Sequence, residues 1–525
     1  MSRYVVSGGL VADGGGGEPE PADVLVEGER IAAVGPPGAF SGVPQIDASG
    51  LAVAPGFIDA HSHADNAPFL AADDTTKILQ GVTTEIVGNC GFSLAPRGDA
   101  ATYDEYVSRL FPRLEPTWTG FPEFLAAADA AGYVTNHCPL VGHGTLRVAA
   151  FGVADRPPEP GELAQMRRRL DEALEAGAFG LSSGLIYPPG AYAATEELIA
   201  LAAALGPDRV YATHLRAEGA HLIPAIEEAL RVAAEAGCRT QISHLKSVGR
   251  PNRGGVGRAL ALLDRARETG LAVRQDAYPY AASATSLTAA LPPSYLAGDA
   301  PAVLARLCAP DAARRLARDL ADGPPGWENR VALAGWDAML ITDTASGAHV
   351  GRTLAEVATD LRADPVEALI HVLVSERLRV SAVTFWMDED DVRAALAHPH
   401  TMIGSDGLPP GTAGRPHPRL YGTFPRILGR YVREAGVLTL GEAVRRMTAL
   451  PAAWFGVPDR GRIAPGLIAD LVAFDPVTVR DTGDYHDPAG APEGIAWVAQ
   501  AGRLTVANGR HLGVRAGRRL LPARS

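Results

Sequence analysis

The sequence of 525 residues predicts an α/β protein in which a TIM-like (β/α)8 barrel carries an inserted lid subdomain and adjoins a small β-sandwich built from both termini. Three observations lead to this fold class. Strand and helix patterns alternate through the middle of the chain, the alternation is interrupted once, and both ends consist of short strands separated by glycine and proline. Alternating strands and helices are typical of a parallel sheet, and this number of units favours a closed barrel.

The two ends of the chain share one pattern. Residues 1–55 contain "RYVVSGGLVADG", "ADVLVEGERIAAVG" and "PQIDASGLAVAPG", and residues 456–525 contain "GRIAPGLIADLVAFDP" and "IAWVAQAGRLTVANGRH". These pieces are β-rich and show no helical periodicity. Because two similar ends enclose a different middle, we expect them to assemble into one small sandwich.

The barrel is expected over residues 56–455. Its predicted strands include "FIDAHSH", "GVTTEIVG", "AFGLSSGLIY", "RVYATHL", "RTQISHL" and "LAVRQDAYPY". Helical patterns such as "LIPAIEEALRVAAEAG" lie between them and end in glycine, as helix C-termini tend to. From about 283 to 379 the alternation stops, which predicts the inserted lid. It returns at "AVTFWMDEDDVRAAL" and then at "HTMIGSDG".

The composition predicts a soluble cytoplasmic protein. The net charge of −12 argues against a nucleic-acid or acidic-membrane partner, because phosphate binding needs clustered positive charge. No apolar run approaches the ~20 residues of a membrane span, and the first residues contain no apolar segment of the signal-peptide kind. The four cysteines are widely spaced and form no disulfide framework. The oligomeric state stays open.

Residues of metal-ligand type stand at the ends of five predicted strands. Alternation along a strand sends residues i and i+2 to the same face, so the two histidines of "HSH" point the same way. The carboxyl ends of barrel strands form the active-site face of this fold. Imidazoles, a thiolate and a carboxylate suit zinc. The sequence therefore predicts a zinc site formed by His61, His63, Cys90, His214, His244 and Asp406.

The other histidines and cysteines show no partner pattern, and we expect them to be structural. His143 in "VGHGTLR" is left open between a supporting role near the site and a loop hydrogen bond. The basic residues include only two lysines. Lys246 lies two residues beyond His244, and so on the same face of its strand, whereas Lys77 is expected to be a chance surface residue.

Several motifs together resemble the amidohydrolase superfamily and, within it, the N-acyl-D-amino-acid deacylases (D-aminoacylases). "PGFIDAHSHAD", "GVTTEIVGNCGFS", "SSGLIYPPG", "THLRAEG", "ISHLK", "DAYPY" and "GSDG...PHPRLYGTF" occur in the order of that family. The resemblance runs from about Tyr4 to Gly509. "HSH" alone is a signal of the superfamily, while "GNCGFS" and "PHPRLYGTF" are far more specific. The implied activity is zinc-dependent hydrolysis of the amide bond of N-acyl-D-amino acids.

The resemblance also implies roles for individual residues. The set of Cys90, His214 and His244 resembles the ligands of a tightly held zinc. The set of His61, His63 and Asp406, with Cys90 shared, resembles a second and weaker metal position. Asp406 resembles the family's general acid/base. The family's groups that hold the substrate α-carboxylate are matched here by Lys246, Tyr278 and Arg419. The insertion after "DAYPY" matches the family's mobile lid.

Three alternatives stay open at this point. One is a D-acidic N-acyl amino acid deacylase or a dipeptidase. Another is a cyclic-amide hydrolase of the hydantoinase or dihydroorotase kind, whose members usually bridge two metals with a carboxylated lysine. The third is a catalytically silent metal-bound scaffold, since a fold does not imply a function.

The segment after "DAYPY" predicts the side-chain preference. From Gln275 to Ala305 it contains no lysine or arginine, and a buried carboxylate without a partner costs several kcal/mol. We expect Leu287, Leu291, Tyr295 and Leu296 to form an apolar pocket wall, so that the enzyme prefers neutral, hydrophobic side chains. An arginine from elsewhere, such as Arg216 or Arg147, could still reach this pocket.

Overall fold

The computed structural model describes residues 3–112, 114–323, 327–409, 411 and 414–523. Within these residues, no helix combines the length and the apolar character that crossing a membrane requires. The strands in chain order are β1 (Arg3–Val11), β2 (Glu20–Glu27), β3 (Arg30–Gly35), β4 (Gln45–Asp47), β5 (Ala52–Pro55), β6 (Phe57–Asp59), β7 (Val82–Val87), β8 (Asn136–Gly142), β9 (Gly180–Gly184), β10 (Val210–His214), β11 (Arg239–Ile242), β12 (Val273–Ala277), β13 (Ser283–Ser286), β14 (Met339–Thr344), β15 (Val380–Thr384), β16 (Thr401–Ile403), β17 (Leu471–Phe474), β18 (Ile495–Gln500), β19 (Arg503–Ala507) and β20 (Arg510–His511). The α-helices are α1 (Ala100–Val107), α2 (Phe121–Ala131), α3 (His143–Phe151), α4 (Pro160–Glu175), α5 (Thr195–Ala202), α6 (Leu222–Ala236), α7 (Gly255–Glu268), α8 (Ala300–Leu307), α9 (Ala312–Asp322), α10 (Arg330–Ala334), α11 (Leu354–Leu361), α12 (Pro365–Ser375), α13 (Glu389–Ala397), α14 (Arg419–Arg426), α15 (Leu440–Met447) and α16 (Ala449–Phe455).

The predicted barrel is confirmed as a parallel sheet in the order β16-β12-β11-β10-β9-β8-β7-β6. Strand β8 was not among the strands expected from the sequence. Its residues "NHCPLVG" include a proline and two polar side chains, which hide the apolar pattern, yet every one of them is buried. Helices cover the sheet, as the sequence of α6 illustrates: its buried residues recur at helical spacing and pack on the barrel core.

The barrel closes through a seam between its first and last strands. Neighbouring strands elsewhere in the sheet are joined by ladders. Between β6 and β16 the described residues show an isolated bridge from Ser62 to Gly407. Backbone hydrogen bonds join Ala60 to Ile403 and Asp406 to His61. The seam is therefore the least regular contact in the barrel wall.

The two ends of the chain meet in one small β-domain, as predicted. Strands β1–β5 and β17–β20 form a mixed nine-stranded sheet, in which β5 from the first part pairs with β17 from the second. Buried residues of both parts share a core. This sheet adjoins the start of the barrel, because β5 and β6 are separated by a single residue.

The insertion forms a lid with its own core. Its three strands pair antiparallel in the order β13-β15-β14, and helices α8–α12 supply most of the remaining buried residues. Strand β15 takes in the start of "AVTFWM", where we expected the barrel pattern to return, but it pairs in the lid, whose sheet reaches as far as Thr384. Of the two segments expected after the lid, "HTMIGSDG" supplies a barrel strand, β16. The lid is therefore a small layer with its own sheet and core.

Candidate active site

Six side chains of metal-ligand type meet at the carboxyl ends of the barrel strands. All six are buried. The donor atoms of His61, Cys90, His244 and Asp406 lie within 4.8 Å of one another. The structure thus brings together His61 and His63 after β6, Cys90 after β7, His214 at the end of β10, His244 after β11 and Asp406 after β16.

Three of these residues have a left-handed backbone. The angle φ is 53° at Cys90, 37° at His244 and 46° at Asp406. This conformation is uncommon outside glycine and costs roughly 1–3 kcal/mol at each position. Such strain concentrates at functional sites. It is a separate reason, besides ligand type, to place a functional site at these strand ends.

Cys90 lies at the centre of the first donor set. Its Sγ lies 3.3 Å from Nε2 of His61, 3.7 Å from Nδ1 of His214 and 3.5 Å from Nε2 of His244. Zinc bonds of about 2.3 Å to sulfur and 2.0–2.1 Å to nitrogen, arranged tetrahedrally, place the two ligand atoms about 3.5 Å apart. The three distances agree with this value, so the residues fit a zinc ion.

Asp406 belongs to a second donor set with the two histidines that follow β6. Its Oδ1 lies 3.2 Å from Nε2 of His63 and 3.6 Å from Nε2 of His61. The same Nε2 of His61 also faces Cys90. The two sets are therefore adjacent, and the second offers a cation two imidazoles and a carboxylate.

The electrostatics favour the charged forms of Cys90 and Asp406. Burial raises the pKa of the Cys90 thiol, but the charges of His61 and His244 outweigh burial and hold this pKa well below its usual value. Burial also raises the pKa of the Asp406 carboxyl, and the charges of Arg419 and His244 again lower it well below its usual value. The thiolate is the form that binds a metal, and the carboxylate is the form that accepts a proton.

Two buried carboxylates that the sequence analysis did not single out stand behind the histidines. Asp276 Oδ1 lies 3.4 Å from Nδ1 of His61 and accepts the backbone N–H of His244. Glu218 Oε1 lies 3.4 Å from Nδ1 of His244 and 3.7 Å from Nε2 of His214. A carboxylate beside the second ring nitrogen orients a ligating histidine. Their position inside the motifs "DAYPY" and "THLRAEG" is the sequence signal that could have identified them.

The pocket beside the donor sets is also lined by Lys246, Tyr278 and Arg419. The Nζ of Lys246 lies 5.6 Å from the centre of the Tyr278 ring, and the Cζ of Arg419 lies 4.7 Å from it. Lys246 donates to Glu218 at 2.5 Å, and Arg419 pairs with Asp406 at 2.9 Å. Two cations thus flank one ring, and each has a carboxylate beside it.

The position of Lys246 bears on the cyclic-amide alternative. Its Nζ lies 2.7 Å from Nδ1 of His244, whose Nε2 faces Cys90. The amine therefore stands behind this histidine rather than between the two donor sets. The other lysine of the chain, Lys77, contacts Asp59. Neither lysine is placed to bridge two metal ions.

An open pocket extends from these residues to the lid. Its lid wall includes β13, which is uncharged, and Leu296. The prediction that Leu287, Leu291 and Tyr295 line this pocket is wrong, because they are not among the described residues of its wall and pack in the core of the lid, which Leu296 also joins. Residues 287–290 and 293–296 form short helical turns, and the sequence pattern does not predict which way their side chains point.

Two arginines that the sequence did not suggest also line the pocket. Arg109 donates to the carbonyl of Pro188 and to Glu105, both at 3.2 Å. Arg330, from the lid helix α10, lies 4.0 Å from Glu218 and 4.9 Å from the Trp386 ring. Each guanidinium already has an anionic or aromatic partner.

The residues left open by the sequence lie apart from the donor sets. His143 Nε2 pairs with Glu197 at 2.8 Å, and Arg147 pairs with the same carboxylate at 2.6 Å. Arg216 pairs with Glu228 at 2.9 Å. None of these five side chains lines the pocket among the residues that the structure describes. His143 is thus a structural partner of Glu197, and neither arginine supplies the pocket with a charge.

The expectation that Lys77 lies on the surface is wrong. Its side chain is buried beneath the metal-ligand residues and contacts Asp59, Ser405 and Glu85. A lysine buried in this way needs carboxylate partners, since an uncompensated charge in the interior is very costly. These contacts were not apparent from the sequence, because Ser405 is 328 residues away and no local pattern joins Lys77 to Asp59 or Glu85.

Comparison with known proteins places these observations in a family. The model of the amidohydrolase family matches residues 45–512. The chain is 39% identical to the D-aminoacylase of Alcaligenes xylosoxydans xylosoxydans, covering 94% of this chain and 92% of that one. It is 37% identical to the N-acyl-D-aspartate deacylase of the same organism, covering 95% and 91%. A crystal structure of the N-acyl-D-glutamate deacylase of Bordetella bronchiseptica, with zinc and a phosphonate mimic of the tetrahedral intermediate, superposes with a TM-score of 0.85 at 37% identity, covering 99% and 100%.

Proposed function

The chain belongs to the amidohydrolase family, and from this premise we propose that it is a zinc-dependent hydrolase of N-acyl-D-amino acids. The reaction cleaves the amide bond and releases a carboxylate and a free D-amino acid. The relatives act on D-amino acid derivatives, and the D configuration of the substrate is inferred from them. No distance in the site selects one enantiomer.

One observation carries this proposal: a donor set with zinc spacing and a pair of cations line the same pocket. The donor set suits activation of an amide. The cations suit an anionic group on the same substrate. A molecule that carries an amide next to a carboxylate, as an N-acyl amino acid does, satisfies both parts at once.

We assign the tight zinc to Cys90, His214 and His244. Zinc at such a set supplies a Lewis acid for the amide carbonyl and lowers the pKa of a water molecule toward about 7. The carboxylate of Asp406 accepts the proton of the attacking water and passes it to the leaving nitrogen. Its contact with His63 at 3.2 Å supports this role because it orients the carboxylate, and the lowered pKa keeps the carboxylate in the form that accepts a proton.

We assign the substrate α-carboxylate to Lys246, Arg419 and the hydroxyl of Tyr278. Both cations flank the Tyr278 ring. When a substrate carboxylate enters, Lys246 exchanges part of its contact with Glu218 for the ligand, and Arg419 does the same with Asp406. The substrate carboxylate thus replaces part of two internal ion pairs. Its contacts with the two cations hold the scissile amide at a fixed distance from Asp406.

We further propose a preference for neutral side chains. The lid wall formed by β13 and Leu296 is uncharged. Of the two arginines in the pocket, Arg109 pairs with Glu105, and Arg330 lies 4.0 Å from Glu218, which Lys246 also contacts. An acidic side chain would have to compete with these carboxylates for a cation, whereas a methionine or leucine side chain would not. The substrate is a small molecule, and the acidic net charge argues against a nucleic-acid partner. We propose a cytoplasmic location.

The proposal is tested by following acetate release from the two enantiomers of N-acetylmethionine. The protein is stripped with a chelator and then reconstituted with zinc. We expect hydrolysis of the D enantiomer by the zinc form alone, with little hydrolysis of the L enantiomer or of dihydrouracil. Hydrolysis of dihydrouracil in preference to N-acetyl-D-methionine would transfer the chain to the cyclic-amide hydrolases, and no hydrolysis of any of them would favour a silent scaffold.

A further inference from the structure

Lys77 is one of two lysines in the chain, and its ammonium group is enclosed by the protein. Its Nζ donates to Oδ2 of Asp59 at 2.5 Å and to Oγ of Ser405. Oε2 of Glu85 lies 3.8 Å away. One ammonium therefore faces two carboxylates, all of them buried. We name Lys77, Asp59 and Ser405 the seam network.

The seam network lies where the barrel wall is least regular. Asp59 is the last residue of β6, and Ser405 follows β16 by two residues. These are the two strands that no ladder joins within the described residues. Oδ1 of Asp59 accepts the backbone N–H of Ser405 at 2.8 Å, and Oδ2 accepts its hydroxyl at 2.6 Å. A carboxylate thus adds side-chain contacts across the seam to the few backbone hydrogen bonds there.

The same network also fixes the backbone next to His61 and Asp406. Asp59 Oδ1 also accepts the backbone N–H of His61 at 3.2 Å. Ser405 Oγ accepts the backbone N–H of Gly407 at 3.0 Å, so both chain neighbours of Asp406 are fixed. The backbone N–H of Asp406 in turn donates to the carbonyl of His61 at 2.8 Å. Movement of Asp59 would therefore change the distance between the Asp406 carboxylate and the histidines after β6.

Glu85 extends the network to the adjacent strand. Its carboxylate accepts the hydroxyl of Ser62 at 2.6 Å and that of Thr135 at 2.6 Å. Ser62 lies between the two histidines of "HSH". The ammonium of Lys77 pairs with Asp59 and lies 3.8 Å from Glu85, so a single cation connects β6, β7 and, through Ser405, the end of β16.

We propose that Lys77 is a positioning residue that sets the distance of Asp406 from His61 and His63. It touches neither substrate nor any donor atom, and it acts through Asp59 and Ser405. The tight set of Cys90, His214 and His244 lies at the ends of strands with ladders on both sides, so we expect it to depend far less on Lys77. In its catalytic consequence the inference rests on the proposed function, whereas its consequence for metal binding does not.

The test compares two variants with one matched control. Lys77→Met removes the charge and keeps the length of the side chain. Ser405→Ala removes one hydroxyl and leaves the buried charges unchanged, which keeps a folded protein available if the first variant fails to fold. Arg460→Met is the control, because it removes another buried cation, paired with Asp470 at 2.9 Å, away from the donor sets. Each protein is loaded with one equivalent of zinc.

Three quantities are measured: the tightly bound zinc, the dissociation constant of a second divalent ion by calorimetry with cadmium, and the kcat and KM for N-acetyl-D-methionine. For Ser405→Ala we expect a full equivalent of tight zinc and an unchanged KM. We expect the second ion to bind about 10- to 100-fold more weakly, as for other groups that support metal ligands, and kcat to fall about 10-fold or more. Lys77→Met shows the same pattern, and Arg460→Met lowers the melting temperature only.

Either of two results would overturn the proposal. In one, Ser405→Ala lowers the melting temperature while kcat and cadmium affinity stay within twofold of wild type, which makes the network merely structural. In the other, tight zinc is lost in proportion to kcat, which makes the network a support of the whole centre. If the wild-type protein hydrolyses no N-acyl amino acid, the proposed function fails, and the cadmium affinity still decides the role of the network.

Discussion

The two sides of the metal centre are built differently. On the continuous side, Cys90, His214 and His244 follow β7, β10 and β11, and each of these strands has a ladder on both edges. On the seam side, the ligand-type residues follow β6 and β16, the two ends of the sheet order. There, a buried lysine, a carboxylate and a hydroxyl make the contacts that hold the strand ends together.

This difference separates two requirements of the site. A tightly held metal needs donors with fixed spacing. On the continuous side regular strand pairing fixes the strand ends, and the carboxylates of Asp276 and Glu218 beside His244 add to this. A group that moves protons needs a defined distance from the metal and freedom to exchange partners. Asp406 meets this need on the seam side, where it contacts His63 and Arg419 and can exchange the latter for substrate.

The largest effect is expected from a change on the continuous side. Cys90→Ala removes the thiolate common to all three nitrogen contacts, so zinc and turnover should be lost together, by more than about 10⁴-fold in kcat. Metal analysis and acetate release check this. Cys138→Ala is the matched control, because this buried thiol lies on the adjacent strand β8 and should leave both unchanged. A Cys90→Ala protein with a full equivalent of zinc and normal turnover would show that the tight site lies elsewhere.

The second effect belongs to the seam side. Asp406→Ala should keep the tight zinc and lose about 10²–10⁴-fold in kcat, the usual size of a general acid/base contribution. Zinc content and kcat are measured on the same sample. A loss below about tenfold would mean that another group transfers the proton. Loss of the tight zinc would contradict the distinction between the two sides.

The third effect concerns the two cations of the pocket, Lys246 and Arg419. Lys246→Met should lower kcat/KM for N-acyl-D-amino acids about 10- to 150-fold, because a hydrogen bond to a charged group contributes about 1.5–3 kcal/mol. N-acyl-D-amino amides lack the carboxylate and should lose much less. Arg419→Met should show the same contrast. Equal losses on acids and amides would mean that these residues support the metal centre rather than bind the substrate.

The smallest effect is the side-chain preference. Of the four apolar residues expected at the pocket, Leu296 alone lines it, so burial of a methionine side chain contributes about 1.5 kcal/mol, or about tenfold in kcat/KM. We expect N-acetyl-D-methionine to exceed N-acetyl-D-glutamate by about this factor. A preference for the D-glutamate derivative that disappears in Arg330→Met would assign Arg330 to the side-chain carboxylate instead.

The barrel and its ligand residues could be predicted because both depend on local pattern. A strand that ends in histidine, cysteine or aspartate can be recognised within a few residues, and the fold places such ends together. Strand β8 was missed because its proline and polar residues conceal a fully buried strand. Strand β15 was assigned to the barrel because its apolar run is the same whether it pairs in the lid or in the barrel.

The supporting residues could not be predicted, because their partners are remote in the chain. Lys77 and Ser405 are 328 residues apart, so nothing near Lys77 distinguishes it from a surface lysine. The carboxylates of Glu218 and Asp276 lie inside recognised motifs, yet their roles depend on ring nitrogens that only the folded chain brings close. The direction of Leu287 depends on a short helical turn, which periodicity does not reveal.

The division between the two sides is tested most directly by titrating the metal-free protein with zinc and measuring hydrolysis of N-acetyl-D-methionine at each step. We predict that turnover rises linearly, reaches its maximum at one equivalent of zinc and does not rise with a second, because the continuous side alone holds the ion that the reaction needs. Turnover that begins only after the first equivalent, or that rises in proportion up to two, would contradict this prediction and would require both donor sets to hold metal in the working enzyme.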